Sequence, residues 1–433
     1  MASFLLGSDS NSEDLRIIQL IQEMDEESEV EFVPRIPRHR SYIPRDRESA
    51  TERLFNDYSS EPPIFQAKKF KRRFRMRINL FLRIAQGISS FANSMNNVPE
   101  HFDYFIERRD AAGRPSFTIL QKCTSALCQL AYGTAPDLFD EYLHMSEQTS
   151  ILCLDNFCKC IIDLYKSRYM RSPTATDVAR LYSVHKEKHG FRGMLGSIDC
   201  MHWEWKNCPV AHKGQYTRGD HKKPTIMLEA VASYDLWICH AFFGMAGSNN
   251  DINVLNQSPL FDVLKTGRAP PAPFEVNGHQ YTKGYYLADG IYPEWTTLIK
   301  GMSCPTDDPR IKFTRFQASD RKDIERAFRV LQGRFYILSI PARVMQVNNM
   351  RRVMECCLIL HNMILEDNDF ALCKWEERFI TEPMANRAQR VRNRGRDQDI
   401  IRREIRDRDV HNQLTDDLVE HIWNLPASFR TTN

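Results

Sequence analysis

Apolar and polar positions follow three different rhythms along this chain. From residue 8 to about 60 the apolar residues keep no period, Ser, Glu, Asp, Arg and Pro dominate, and an acidic run extends from Glu23 to Glu31. Such a segment cannot bury enough surface to offset the entropy of ordering it, so disorder is expected. From 78 to 190 the apolar spacing is helical. Phe117 to Tyr132 reads as one helix, with Ser116 as its cap and Gly133 at its end. Pro136 to Met145 reads as a second, carrying Leu138, Phe139, Tyr142 and Leu143. Ser146 caps a third, which carries Ile151, Leu152, Leu154, Phe157, Cys158, Ile161 and Ile162. Two helices and a capped third are compatible with a helix-turn-helix, and equally with any small helical bundle. The third helix is poor in Arg and Lys along its first turns, which counts against a DNA-reading role.

After Gly190 strand-like runs appear. Gly196 to Trp205, Thr225 to Ser233 and Leu236 to Phe243 are three of them. The second is nearly continuous in apolar residues, as an interior strand is. Tyr234-Asp235 is a polar joint suited to a hairpin. Tyr285 to Ala288 reads as a fourth strand, and Asp251 to Phe261 and Ser319 to Phe335 as helices. Three antiparallel strands, a helix, another strand and a further helix is the order of an RNase H-like α/β domain, although order alone does not establish the fold. The expected organisation is therefore an acidic disordered tail over 1–60 and a helical DNA- or partner-binding region over 61–190. An RNase H-like catalytic domain over 191–366 and a charged tail over 367–433 complete it. In that tail Arg387 to Asp409 mixes Arg with Asp and Glu, and His411 to Asn424 has the spacing of a last docked helix.

The 433 residues are 42% hydrophobic and 27% charged, enough for a sizeable core. With a net charge of only +3, any nucleic-acid contact must come from local patches. One such patch is dense: Lys68, Lys69, Lys71, Arg72, Arg73, Arg75 and Arg77, interleaved with Phe70, Phe74 and Met76. A helix puts Phe70 and Phe74 on one face and cations around it. That suits phosphate contact, and equally a solvated helix or a nuclear import signal. The twelve cysteines include no Cys-x-x-Cys pair, the nearest spacings being Cys158-Lys159-Cys160 and Cys356-Cys357. They read as buried small hydrophobes in a reducing compartment. No signal peptide and no apolar run of membrane-spanning length is evident, so a soluble intracellular protein with no membrane partner is expected.

Three acids stand out by context. Asp199 lies mid-strand in Gly196-Ser197-Ile198-Asp199-Cys200-Met201-His202, and Asp289 ends the fourth strand in Tyr285-Tyr286-Leu287-Ala288-Asp289-Gly290. A charge among apolar strand residues is costly to bury unless it is paired or binds metal. Glu325 is helical. Ile324, Phe328, Leu331 and Phe335 mark the core face of its helix, Glu325 sits at the edge of that face, and Arg321 and Arg329 lie one turn to either side. The arginines suit salt bridging, or clamps for phosphate beside a metal ligand. Phosphodiester chemistry needs an activated water, in-line attack and a stabilised leaving oxygen, and two Mg²⁺ ions (or Mn²⁺) held by carboxylates supply all three. Asp251 is the competitor for the second place in the triad. It stands where a helix begins and has a sufficient structural task there as a cap, so Asp289 is preferred and Asp251 is kept as an orienting group or alternative ligand.

Taken together, Gly196 to His202, Gly247-Ser248-Asn249-Asn250-Asp251, Leu287-Ala288-Asp289-Gly290-Ile291-Tyr292, Ile324-Glu325-Arg326-Ala327-Phe328 and Leu360-His361-Asn362-Met363 resemble the plant PIF/Harbinger transposases in order and spacing. The likeness covers roughly residues 60 to 366. It implies an RNase H-like fold and Mg²⁺-dependent strand cleavage and transfer with Asp199, Asp289 and Glu325 as the triad. It also implies DNA as substrate, nuclear localisation and a separate Myb/SANT-like partner that binds transposon ends and assists nuclear entry. Homo-oligomerisation is left open. Wider relatives place a Lys shortly after the catalytic Glu where this chain has Gln332, which cannot neutralise a phosphate, although Arg329 and Arg334 are close in sequence. His202 falls on the strand face opposite Asp199, and His361, on an apolar helix, reads as a satisfied core residue. Domesticated members of such families keep the fold without the chemistry. A catalytically silent, chromatin- or DNA-associated interaction protein is thus the alternative.

Overall fold

The computed structural model describes residues 43–373, except 95–96, 220–221, 266–268 and 271, and residues 400–429, except 402 and 427–428. The acidic run Glu23 to Glu31 lies outside the described residues, as does Arg387 to Asp409 up to residue 399. The first described helix corrects the expectation of disorder as far as residue 60. Helix α1 (Arg47–Tyr58) is capped by Asp46, which accepts from the Ser49 N–H, and buries Ala50, Leu54 and Tyr58. Those three are four residues apart, a helical stripe that polar composition conceals. In α2 (Ala67–Phe74) Phe70 and Phe74 are buried and stacked at 4.2 Å between ring centroids, so the basic helix docks by its aromatic face. Helix α3 (Ile78–Ser94) follows. Helix α4 (Ile119–Tyr132) ends at Gly133 as expected, but its cap is Thr118, in a reciprocal pair with Gln121, rather than Ser116. Helix α5 (Glu147–Tyr169) is capped by Ser146, and α6 (Ala175–His189) by Thr174.

Among the described residues seven strands follow: β1 (Met194–Glu204), β2 (Thr225–Ala232), β3 (Ile238–Ala246), β4 (Phe274–Val276), β5 (His279–Tyr281), β6 (Tyr285–Ala288) and β7 (Leu298–Lys300). Five of them form one mixed sheet in the order β3-β2-β1-β6-β7, with β1, β2 and β3 antiparallel and β6 and β7 parallel to β1. β4 and β5 form a separate small hairpin. Glycine is needed at Gly196, at the head of the motif that carries Asp199. Its φ is +154°, and a Cβ there would stand 2.5 Å from the Ala232 carbonyl oxygen. Helix α7 (Asp251–Gln257) is shorter than expected because Pro259 follows and Ser258 caps a new 3-10 turn. Helix α8 (Asp308–Arg334) is longer, opening on Asp307 as cap with Pro309 in its first turn. Helices α9 (Val347–Asp367) and α10 (Arg408–Trp423) follow.

Both faces of the sheet are covered, as the uniformly buried β2 requires. On one face Met201, Trp203, Leu228, Ala230 and Ala232 share a core with Ile324, Ala327, Phe328 and Leu331 of α8 and with much of α9. On the other, Ile198 and Val231 pack with Leu255, Phe261, Ala288 and Tyr292. Helix α5 lies against α9, with ion pairs Arg352–Asp155 (2.7 Å), Lys166–Glu355 (3.1 Å) and Arg168–Glu366 (2.6 Å). Its polar flank is therefore bound to the chain's own helix. The cysteine pairs noted in the sequence, Cys158 with Cys160 and Cys356 with Cys357, are buried in the large core that α5 and α9 share. Among the described residues no helix is long and apolar enough to cross a membrane.

Candidate active site

The sheet order sets the site. Ser197 of β1 is paired in parallel with Leu287 of β6; Asp199 lies two residues further along β1, and Asp289 follows the last residue of β6 and opens a turn, its carbonyl accepting the Tyr292 N–H at 3.1 Å. Helix α8 crosses β1 on the face where Asp199 points and delivers Arg321 and Glu325. The Arg321 guanidinium spans two carboxylates: Nη1 donates to Asp199 Oδ2 at 3.1 Å, and Nη2 lies 3.1 Å from Glu325 Oε1. The other Asp199 oxygen accepts the Cys200 N–H at 2.8 Å. Arg329, one turn beyond Glu325, is 3.9 Å from Oε2 and 79% exposed, the freer of the two flanking cations. Of the salt-bridge and phosphate-clamp roles open to Arg321, the first is the one seen.

Asp251 stands differently from expectation. The cap of α7 is Asn250, whose side chain accepts the Asn253 N–H at 2.9 Å. The capping task that set Asp251 aside therefore belongs to its neighbour. Asp251, one residue further in, is hydrogen-bonded by the Cys200 thiol, and its carboxyl is pushed up by burial and by the charges of Asp289 and Glu229, against the pull of Arg218. Glu229 is a residue that sequence reading passed over. It lies on β2 directly opposite Cys200, is fully buried, and neither carboxylate oxygen accepts a hydrogen bond, although His240 Nε2 is 3.4 Å away. Its signal was present: a lone acid in Thr225-Ile226-Met227-Leu228-Glu229-Ala230 meets the same criterion that singled out Asp199. Cys200 and Tyr292, whose thiol and hydroxyl lie 3.7 Å apart beside these acids, are held protonated by burial.

The remaining basic residues divide. On α2, Lys68, Lys69, Lys71 and Arg72 are exposed, Lys71 bonding Asn368 Oδ1 at 3.0 Å. Arg73 is turned inward, donating to the Tyr58 hydroxyl and lying over Phe65. This helix packs chiefly on α3 and α4, not on the sheet that carries the acids. Arg334, close to Gln332 in sequence, is no phosphate contact: Nη1 is 3.0 Å from His361 Nδ1 and 3.2 Å from the His361 carbonyl oxygen. His361 is the satisfied core residue expected, its Nε2 donating to Leu236 O at 2.9 Å, and burial pushes its pKa down to about 3. His202 Nδ1 is bonded to Thr225 Oγ1 at 2.8 Å.

A family model described as a plant transposon protein matches residues 167–371. A second, described as a domain of unknown function, matches residues 51–89. A curated Arabidopsis thaliana protein named "Protein ALP1-like" is 22% identical over 265 residues, which cover 61% of this chain and 64% of that protein. The transposon-protein match and this relative support the Harbinger-type resemblance of the motifs. No solved structure matches the chain significantly. The region matched by the plant transposon model contains Asp199, Glu229, Asp251, Asp289 and Glu325, while the basic helix α2 falls within the second match.

Among the described residues no three His, Cys, Asp or Glu side chains are gathered closely enough to hold a metal ion as they stand. The position between Asp199 and Glu325 is taken by Arg321. The cluster is nonetheless under charge stress. Burial pushes Asp199 up to about 6, with Asp251 and Glu325 adding to the rise, while the Cys200 N–H and Arg321 oppose it. A carboxyl whose folded pKa exceeds its unfolded value destabilises the fold as it ionises. The stability is therefore complete below the unfolded value near 3.8 and lost as pH rises through about 6. Asp199→Asn removes that ionisation. In metal-free buffer with EDTA its melting temperature should draw ahead of wild type across this window, by a free energy on the order of 2 kcal/mol at pH 7. A difference in melting temperature that stays flat from pH 4 to 7 would contradict this.

Proposed function

We propose that this chain is a DDE-type nuclease or transposase that cuts and joins DNA phosphodiester bonds with two Mg²⁺ or Mn²⁺ ions, on an RNase H-like domain spanning residues 191–366. The observation that supports it best is the meeting of Asp199 and Glu325 on one guanidinium at the α8 face of β1, with Asp289 following the neighbouring parallel strand β6. The donor set fits hard cations. It consists of carboxylate oxygens, which suit Mg²⁺ and Mn²⁺ rather than zinc. Glu229, whose two buried oxygens accept no hydrogen bond, lies on the sheet face opposite Asp199, beside His240, and is not among the proposed ligands. When bound, such a pair of ions activates a water and stabilises the leaving oxygen.

Asp199, Asp289 and Glu325 are the proposed ligands. Arg329 projects into solvent one turn beyond Glu325, placed to meet a phosphate, and the exposed cations of α2 offer a second, non-specific contact. The near-neutral net charge supports dependence on a DNA-reading partner of Myb/SANT-like type, and with it nuclear action. The silent alternative gains nothing from the site, which keeps every acid of the triad. The test is cleavage of DNA bearing candidate terminal repeats, with and without the partner. Mg²⁺-dependent nicking that EDTA abolishes is expected, and no nicking in any arm would overturn the proposal.

The second place in the triad has its own test. Asp289→Asn should abolish both cleavage and Mn²⁺ binding. Asp251→Asn, no longer excused by a capping task, should weaken metal affinity about 10- to 100-fold, the range for a group that orients a ligand. If Asp289→Asn keeps metal and activity while Asp251→Asn loses both, the assignment is reversed.

A further inference from the structure

We propose that Arg321 is the resident counter-cation of the acid cluster, a latch that a divalent metal must displace before the site can load. The inference rests on the metal-dependent reading above and adds to it an order of events. Its basis is which oxygens are occupied. Asp199 Oδ1 is taken by the Cys200 N–H, which leaves Oδ2, and Oδ2 is held by Arg321 Nη1 at 3.1 Å. Glu325 Oε1 is held by Nη2 of the same guanidinium, also at 3.1 Å. The two oxygens best placed for a shared cation therefore already share one.

The latch has the right chemistry to compete. A guanidinium is planar and forked, so one group can span two carboxylates, and it cannot withdraw by losing its proton. It leaves only by rotation. Arg321, Asp199 and Glu325 are 19%, 20% and 29% exposed, so bulk water screens this bridge little, unlike the contact of the 79% exposed Arg329. A site that is open only part of the time binds with an affinity reduced by that fraction. By reciprocity, metal must loosen the guanidinium as much as the guanidinium weakens metal. Release then frees an arginine beside the metal-loaded acids, where a DNA phosphate would next arrive. The phosphate contact that the sequence suggests for Arg321 thus becomes a second state of the side chain, reached after metal and before DNA.

A plain structural brace between α8 and β1 makes the opposite forecast, because removing a brace loosens the acids and weakens metal binding. The experiment is Mn²⁺ titration followed by electron paramagnetic resonance on the full chain, comparing wild type, Arg321→Gln and Arg329→Gln. Arg321→Gln should bind Mn²⁺ about tenfold tighter, as for a latch closed roughly nine-tenths of the time. Arg329→Gln controls for the loss of a nearby positive charge and should stay within about twofold, since its charge is screened. Equal or weaker binding by Arg321→Gln, or equal tightening by both variants, overturns the latch while leaving the metal site standing. No Mn²⁺ binding by any of the three overturns both. Should Arg321→Gln fail to fold, the wild type carries the test through its arginine Nε–H resonances. A slowly exchanging guanidinium signal that is released on adding Mg²⁺ supports the latch, and a signal indifferent to Mg²⁺ overturns it.

Discussion

Asp199→Asn and Glu325→Gln should each abolish Mg²⁺-dependent DNA cleavage without unfolding the protein. Each substitution keeps the shape of the side chain and removes the charge that would hold an ion. The loss of several kcal/mol of charge stabilisation in the transition state corresponds to about a thousandfold or more in rate. The fold has little to lose. Asp199 is an acid pushed up to about 6 by burial, so its neutral isostere relieves stress rather than creating it. Glu325 is 29% exposed at the edge of the core face of α8, and Ile324, Ala327, Phe328 and Leu331 hold that helix without it. The measurement is single-turnover nicking in Mg²⁺ beside circular dichroism and melting curves. Wild-type nicking by either folded variant would remove its carboxylate from the mechanism.

Asn362→Ala should destabilise the protein by about 3 to 5 kcal/mol, the range for breaking a buried hydrogen-bond network. Asn362 is fully buried on α9. Its Oδ1 accepts the Ile238 N–H at 3.1 Å, and its Nδ2 donates to Ile238 O and Tyr169 O, both at 2.8 Å. One side-chain amide thus closes the start of edge strand β3 and the end of α5 together. Alanine leaves an N–H and two carbonyls without partners and out of reach of water, which costs far more than the net worth of the bonds themselves. Urea unfolding monitored by tryptophan fluorescence tests this through Trp237, buried beside Ile238. A loss below about 1 kcal/mol would mean that the neighbouring backbone finds other partners.

Local rules carried much of this protein. Ser146 as a cap, Gly133 as a stop, the aromatic face of α2, the three strands β1 to β3 and the core face of α8 depend on residues a few positions apart, and all can be read directly from the chain. So could the suspicion that falls on Asp199, Asp289 and Glu325, because a charge in an apolar strand or at the edge of a core face is costly wherever the strand or helix lies. Even part of the Arg321 bridge was legible, since Arg321 and Glu325 are one helical turn apart. The other half was not. Asp199 is 122 residues from Arg321 in sequence, and no periodicity reports such a separation. The same holds for the insertion of β6 and β7 beside β1, which puts the strand that precedes Asp289 next to the strand that carries Asp199. β4, β5 and β7 are three residues each, too short to show a period. The cap of α7 was a choice between adjacent residues, Asn250 and Asp251, which sequence chemistry rates as near equals. Backbone geometry chose Asn250, and so returned Asp251 to the acids. Residue type determines what a side chain can do, over distances the local backbone sets. Which carboxylates share one cation is decided only when strands far apart in the chain are laid side by side.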